Sequence, residues 1–183
     1  MLIREIPNED NLKLLAHMHL GRLACAQGGQ PYVVPFYFAY QDSWLYSFST
    51  VGQKIDWMRA NPLVCVQTDE VVSAEEWVSI VISGRYEELP DVPGFRIERE
   101  LAYKLLQQKA NWWEPGYAKT IIRRAQRPMD PVYFRIQIAQ VTGHLSASDS
   151  ESEIGVRSLR GERADTKPIN GLLESLRKMM FPR

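Results

Sequence analysis

GRLACAQGGQPYVVPFYFAYQDSWLYSFST, residues 21–50, is the stretch on which the fold turns. Arg22 to Gln27 is a short strand-like run, and Gly28-Gly29-Gln30 is a hairpin-type turn. Pro31 to Tyr40 is a long aromatic and β-branched run, Gln41-Asp42-Ser43 is a tight turn, and Trp44 to Ser49 is another strand. Three strands joined by such short turns have no room for crossover helices, so they form an antiparallel meander. Pro31 and Pro35 each remove a ladder donor. Pro35 therefore predicts an interrupted or edge segment, where backbone groups are free for a planar ligand.

Upstream, Asn8 to His19 reads as a helix, with Asn8 as its cap, Glu9 and Asp10 in its first turn, and Gly21 as its stop. Leu12, Leu15 and His19 lie on one stripe, beside Leu14 and Met18. Downstream, Gly52 to Ala60 reads as a second helix, apolar at Ile55, Trp57 and Met58 and stopped by Asn61-Pro62. Leu63 to Thr68 and Trp77 to Leu89 read as strands. The second is nearly continuously apolar at Val78, Ile80, Val81 and Ile82, as in a strand covered on both faces by a barrel or a dimer interface. Arg96 to Lys109 gives a third helix, and Pro131 to His144 a last alternating strand.

The sum is mainly β with helices: a six-stranded antiparallel barrel over residues 1–145. Residues 146–183 begin as a Ser/Asp/Glu-rich linker and regain a helical pattern from Asn170 to Phe181, with Leu172, Leu173, Leu176 and Met180 on one side. This helix is expected to dock on the barrel or on a partner subunit.

Composition excludes several classes of function. Among 183 residues, Lys+Arg and Asp+Glu are 22 each, so the basic footprint of a nucleic-acid binder is missing. Hydrophobic residues at 45% and charged residues at 24% exclude a disordered chain. No apolar run reaches the roughly 18 residues of a spanning helix, and the first residues carry no secretory signal, so a cytoplasmic protein without membrane contact is expected. Cys25 and Cys65 sit in separate apolar runs and read as reduced structural thiols. His17 and His19, two apart on a helix, point away from each other and do not make a metal pair.

The stretch that carries chemistry is Ser47-Phe48-Ser49-Thr50-Val51-Gly52-Gln53-Lys54. It joins a strand to a helix, where free N–H groups and the positive end of the helix dipole favour an anion. Lys54 adds a formal charge there, although the spacing is not that of a Walker loop. In Trp77-Val78-Ser79-Ile80-Val81-Ile82-Ser83-Gly84-Arg85, Ser79 stands in an apolar strand, where its hydroxyl needs a carbonyl or a ligand edge as partner. Trp112-Trp113 is read as core, lid or dimer contact, and Arg123, Arg124 and Arg127 as a solvated surface or an anion patch. Tyr37 and Tyr117 are acid–base candidates by residue type, and nothing else in the sequence supports either.

The ordered set Gly21-Arg22-Leu23-Ala24, Pro31 to Pro35, Leu45 to Ser49, Gly52-Gln53-Lys54, Asn61-Pro62 and Trp77 to Arg85 resembles the FMN-binding split-barrel superfamily. Its pyridoxamine 5′-phosphate oxidase-like branch, and the nitroimidazole-resistance (Nim-type) flavoproteins in particular, is the part it resembles. The likeness spans roughly residues 8–145. It implies a split barrel, a homodimer with FMN at the interface, and redox chemistry on a small-molecule substrate. By the same resemblance Ser49, Thr50, Gln53 and Lys54 hold the FMN phosphate, Val34, Pro35 and Phe36 line the isoalloxazine, Ser79 faces the ring and Trp77 flanks it. Nim-type relatives often carry His where this chain has Phe48, so the resemblance does not extend to a histidine-dependent step. The alternatives are a non-catalytic flavin- or haem-binding protein of the same fold and a reductase using the deazaflavin F420.

Overall fold

Strand β1 (Leu2–Glu5) and helix α1 (Asn8–His17) open the chain; the computed structural model describes residues 2–108, 121–122, 125–126 and 131–147. There follow β2 (Leu20–Gln27), β3 (Gln30–Tyr37), β4 (Ala39–Gln41), β5 (Trp44–Thr50), α2 (Gln53–Ala60), β6 (Leu63–Val71) and β7 (Trp77–Glu88). A 3-10 turn (Pro93–Phe95) leads into α3 (Arg96–Gln107), and β8 (Ile121–Ile122), β9 (Ala125–Gln126) and β10 (Pro131–Ala147) complete the described elements. Trp112-Trp113, Tyr117, Arg123, Arg124, Arg127 and the segment 148–183 lie outside the described residues.

The described chain divides into two units. In the larger, Ile6–Thr68 with Ile80–Gly143, the strands hydrogen-bond in the order β3-β2-β6-β7-β10-β5-β4. The sheet is mainly antiparallel, as expected, and β3 and β4 end its order without pairing to each other. Leu23, Phe38, Leu45, Val66, Ile80, Ile82, Phe134 and Ile136 form its fully buried interior. Every second residue of a strand faces the same way, so five strands supply one apolar face. Tyr46, Leu89 and Ala102 form a cluster that seats α3 against β5.

The two turns of the meander have the backbone their residues dictate. Gly28 and Gly29 take φ values of 57° and 79°, and Asp42 and Ser43 take 49° and 66°. Left-handed pairs of this kind match the twist of a two-residue hairpin.

Three expectations are corrected. Helix α1 ends at His17, and Met18 is already extended, so Gly21 is not its stop. Gly21 lies inside β2, where a Cβ would stand 3.0 Å from the Gln67 carbonyl oxygen and 3.2 Å from the Phe38 ring. Asn8 is the first helical residue rather than the cap, and no side chain caps that end. The run Pro31 to Tyr40 is two strands, because the Phe38 N–H leaves the ladder and donates to the His19 carbonyl at 2.9 Å. In the chain by itself, Ile82, Gly84 and Tyr86 of β7 are buried, while Val81, Ser83 and Arg85 are exposed.

Of the described residues, the smaller unit comprises 2–5, 69–79 and 144–147. Here β1, a strand the sequence reading missed, pairs antiparallel with the end of β10, from Leu2 opposite Ala147 to Glu5 opposite His144. Ser146 Oγ donates to the Glu75 carbonyl at 2.9 Å and secures the loop between β6 and β7.

Candidate anion site at the start of the second helix

Alternation along β5 turns Leu45, Ser47 and Ser49 to one face and Phe48 and Thr50 to the other. Ser47 Oγ donates to the Tyr37 carbonyl at 2.6 Å, and Ser49 Oγ donates to the Thr50 carbonyl at 3.1 Å. Phe48 packs by Tyr133, ring centroids 5.7 Å apart, next to the buried Ala39 and Leu106. The place where Nim-type relatives carry His is therefore an apolar one here.

After Thr50 the chain bends through Val51 and Gly52 and enters α2. No side chain caps this helix end. The first N–H groups of a helix have no intrahelical acceptor, and together with the dipole they present positive charge. Among the described residues a Cβ at Gly52 would meet nothing within 4 Å.

Lys54 stands in this first turn, partly buried. Among the described residues no hydrogen-bond acceptor or carboxylate meets its ammonium. Burial holds it below the ordinary lysine range, with the Cys25 thiol as the group acting against that shift. Burial in turn pushes the Cys25 thiol up, against the pull of Lys54.

Trp57 lies one turn on from Lys54 and meets the edge of Tyr32, ring centroids 5.6 Å apart at 60°. Tyr32 is the cross-strand partner of Cys25. Cys25, Tyr32 and Trp57 thus join the site, and the sequence reading missed them. The three-residue spacing of Lys54 and Trp57 was the available signal, since such pairs share a helix face.

The far end of α2 is fixed at two points. Arg59 grips Glu88 of β7 with two hydrogen bonds of 2.7 and 2.8 Å, and the Tyr86 hydroxyl donates to the same carboxylate at 2.9 Å. Asn61 Nδ2 donates to the Ala26 carbonyl of β2 at 3.0 Å. These contacts set the direction in which the helix N-terminus points.

Strand β3 is an edge, as the prolines predicted. The two-residue turn makes Gln27 and Gln30 a hydrogen-bonded pair, so Tyr32, Val34 and Phe36 bond to β2. Pro31, Val33 and Pro35 turn their backbone to the free edge, where a proline costs no ladder bond. Phe36 is taken up by the core, stacked on Phe38 at 5.5 Å. Val34 is partly buried, and Pro35 is exposed.

The structure therefore brings Gln53 and Lys54 together on α2 and places Ser49 and Thr50 just before it, on opposite faces of β5. Trp77 and Ser79 stand partly buried at the start of β7, in the smaller unit. Cys25 and Cys65 lie on opposite faces of the sheet, Cys65 sharing its face with its partner Ala24, so they cannot form a disulfide. Among the described residues no three His, Cys, Asp or Glu side chains cluster as metal ligands, and no helix is long and apolar enough to cross a membrane.

A sequence model of the pyridoxamine 5′-phosphate oxidase family matches residues 7–145. The chain belongs to that family. A protein of Rhizobium meliloti (strain 1021), itself uncharacterized, is 40% identical over 148 residues, which is 81% of this chain and 98% of that protein. The crystal structure of a FAD-binding protein from Mesorhizobium loti is similar at 44% identity and a TM-score of 0.66, covering 81% of this chain and 99% of the other. A 5-nitroimidazole antibiotic resistance protein from Bacteroides thetaiotaomicron shares the fold at 19% identity, with a TM-score of 0.56 over 79% of this chain and 89% of that one. Together with the sheet order these likenesses make the fold a split barrel of this family.

Proposed function

We propose that the protein binds a flavin nucleotide, FMN, with the phosphate at the N-terminus of α2. Lys54 is the observation that carries this reading. A lysine held partly buried without an anionic partner is costly unless a ligand supplies the anion. The uncapped helix end and the open space at Gly52 fit a phosphate. The name of the Mesorhizobium loti relative supports a flavin as the body attached to that phosphate.

In this reading Lys54 neutralises the phosphate, Gln53 and the free N–H groups of α2 orient it, and Ser49 and Thr50 border it. Val34 and Pro35 flank the ring along the free edge of β3. Phe36 supports that edge from the core. Trp77 and Ser79 are assigned to the ring by resemblance to the family. When bound, the flavin supplies the electron and hydride transfer, and the protein supplies orientation and exclusion of water. We assign the protein as a cytoplasmic homodimeric oxidoreductase acting on a small molecule.

The absorbance spectrum of the purified protein, with mass spectrometry of the released ligand, tests this. Flavin bands with FMN released are expected, and reduction of the bound flavin by NADH or NADPH would follow from the enzyme reading. Release of FAD alone overturns the choice of FMN. A colourless protein that takes up neither FMN nor FAD overturns the flavin reading, and sedimentation as a monomer overturns the dimer.

A further inference from the structure

Strand β7 presents a second polar cluster, on the face turned away from α2. Successive strand residues point to opposite faces, so Glu88 reaches Arg59 of α2 while Glu87 reaches the other way, to Arg135 of β10. Arg85 and Glu87 of β7, Arg135 and Gln137 of β10, and Trp44 of β5 line a cleft of about 290 Å³ within the larger unit. This is near the lower limit of small-molecule sites, which run from about 300 Å³ upward.

The charges in the cleft are unevenly matched. Arg135 Nε donates to Glu87 at 2.5 Å, and the guanidinium lies 4.0 Å over the Trp44 ring. Its side chain is only 16% exposed, so it forms a fixed wall. Glu87 is committed to it. Arg85 is exposed and has no hydrogen-bond or ion-pair partner among the described residues. By contrast Arg59, Arg96 and Arg99 each meet a carboxylate, and Arg22 meets Gln67. Two guanidiniums against one carboxylate leave the cleft with one surplus positive charge.

We propose that this cleft binds a small monocarboxylate. The guanidinium of Arg85 pairs with the carboxylate, and the Gln137 amide donates a further hydrogen bond to it. Glu87 limits the charge accepted: a dianionic phosphate would be repelled by it, whereas a monoanion balances the surplus. None of the cleft residues is among those assigned to the flavin phosphate, and the proposal stands whether or not a flavin binds.

Backbone amide NMR with acetate as probe, against chloride at the same ionic strength, tests it on the full chain. Saturable shifts at Arg85 and Gln137 are expected with acetate, weakened about tenfold or more by Arg85→Gln, as for loss of a charge-assisted bond, and unchanged by Lys54→Met. Arg85 is exposed, so its substitution leaves the fold intact; Gln137→Ala provides a second, milder loss. Non-saturating drift matching that of chloride, undiminished affinity in Arg85→Gln, or tighter binding of inorganic phosphate than of acetate would each overturn the assignment.

Discussion

Replacing Lys54 by methionine should move two properties in opposite directions. The ammonium is partly buried at an uncapped helix end and has no partner among the described residues. Removing it takes away the anchor of the phosphate, a charge-assisted contact worth about 1.5–3 kcal/mol. FMN affinity should fall roughly 10- to 150-fold. The apoprotein should become more stable by about 0.5–1 kcal/mol, because an uncompensated charge gives way to an apolar chain of similar length. For a chain of this size that raises Tm by about 1–4 °C. Riboflavin, which lacks the phosphate, is the control: its affinity should not change. Titration by quenching of flavin fluorescence, with calorimetry of the apoprotein, reads both effects. If FMN and riboflavin weaken together, or if the apoprotein Tm falls, Lys54 is a structural residue and the phosphate assignment fails.

Further outcomes follow from the same contacts. The folded-state pKa of Lys54 lies below its unfolded value, so FMN affinity should decline as pH rises through that lowered pKa, below the ordinary lysine range; apoprotein stability should rise over the same window, since the unfolded chain then binds more protons. Glu88 is held below the usual carboxylate range chiefly by the hydrogen bonds from Arg59. Its contribution is therefore present above the unfolded pKa and is lost as pH falls through the folded one; Arg59→Ala should cost about 0.5–1 kcal/mol at neutral pH, discounted for exposure, and should converge with the wild type in acid denaturation curves. A Cβ at Gly84 would stand 2.6 Å from the Gln137 carbonyl oxygen and from Ile136 Cγ2, so Gly84→Ala should push β7 off β10 and cost about 2–3 kcal/mol in urea unfolding. At Gly143 a Cβ would overlap Asn11 Oδ1, which is buried without a hydrogen-bond partner among the described residues, so Gly143→Ala should dislodge Asn11 and break its bond to the Ile6 carbonyl. Combined with Asn11→Ala the loss should be less than additive in a double-mutant cycle.

Cys25, Tyr32 and Trp57 show why part of the site stayed out of reach of the sequence. Gly52, Gln53 and Lys54 mark a candidate anion site through local chemistry, since a strand-to-helix junction makes its own donors. Nothing local says that Tyr32, more than twenty positions upstream, meets Trp57, because that contact depends on how β3 hangs on β2 and how α2 crosses beneath them. Phe48 is similar: the sequence marks it as a departure from Nim-type relatives, and only the packing against Tyr133 shows the place to be apolar.

The fold divides along the same line. The left-handed turns at Gly28-Gly29 and Asp42-Ser43, the apolar alternation of the strands and the three helices were legible, because each arises from neighbours in sequence. The pairing of Leu2–Glu5 with the end of β10 was not, since it joins residues some 140 positions apart by backbone bonds that leave no side-chain pattern. Gly21 was misread for a related reason. A glycine after a helix has a local meaning, and its actual role, clearance for the Gln67 carbonyl and the Phe38 ring, exists only once β6 lies beside β2. The sequence by itself determined most of the strands and the three described helices, and it points to a candidate anion site. Only the tertiary structure decided which strands pair, which charges meet no partner among the described residues and which group each carboxylate of β7 reaches, because those depend on contacts between segments far apart in the chain.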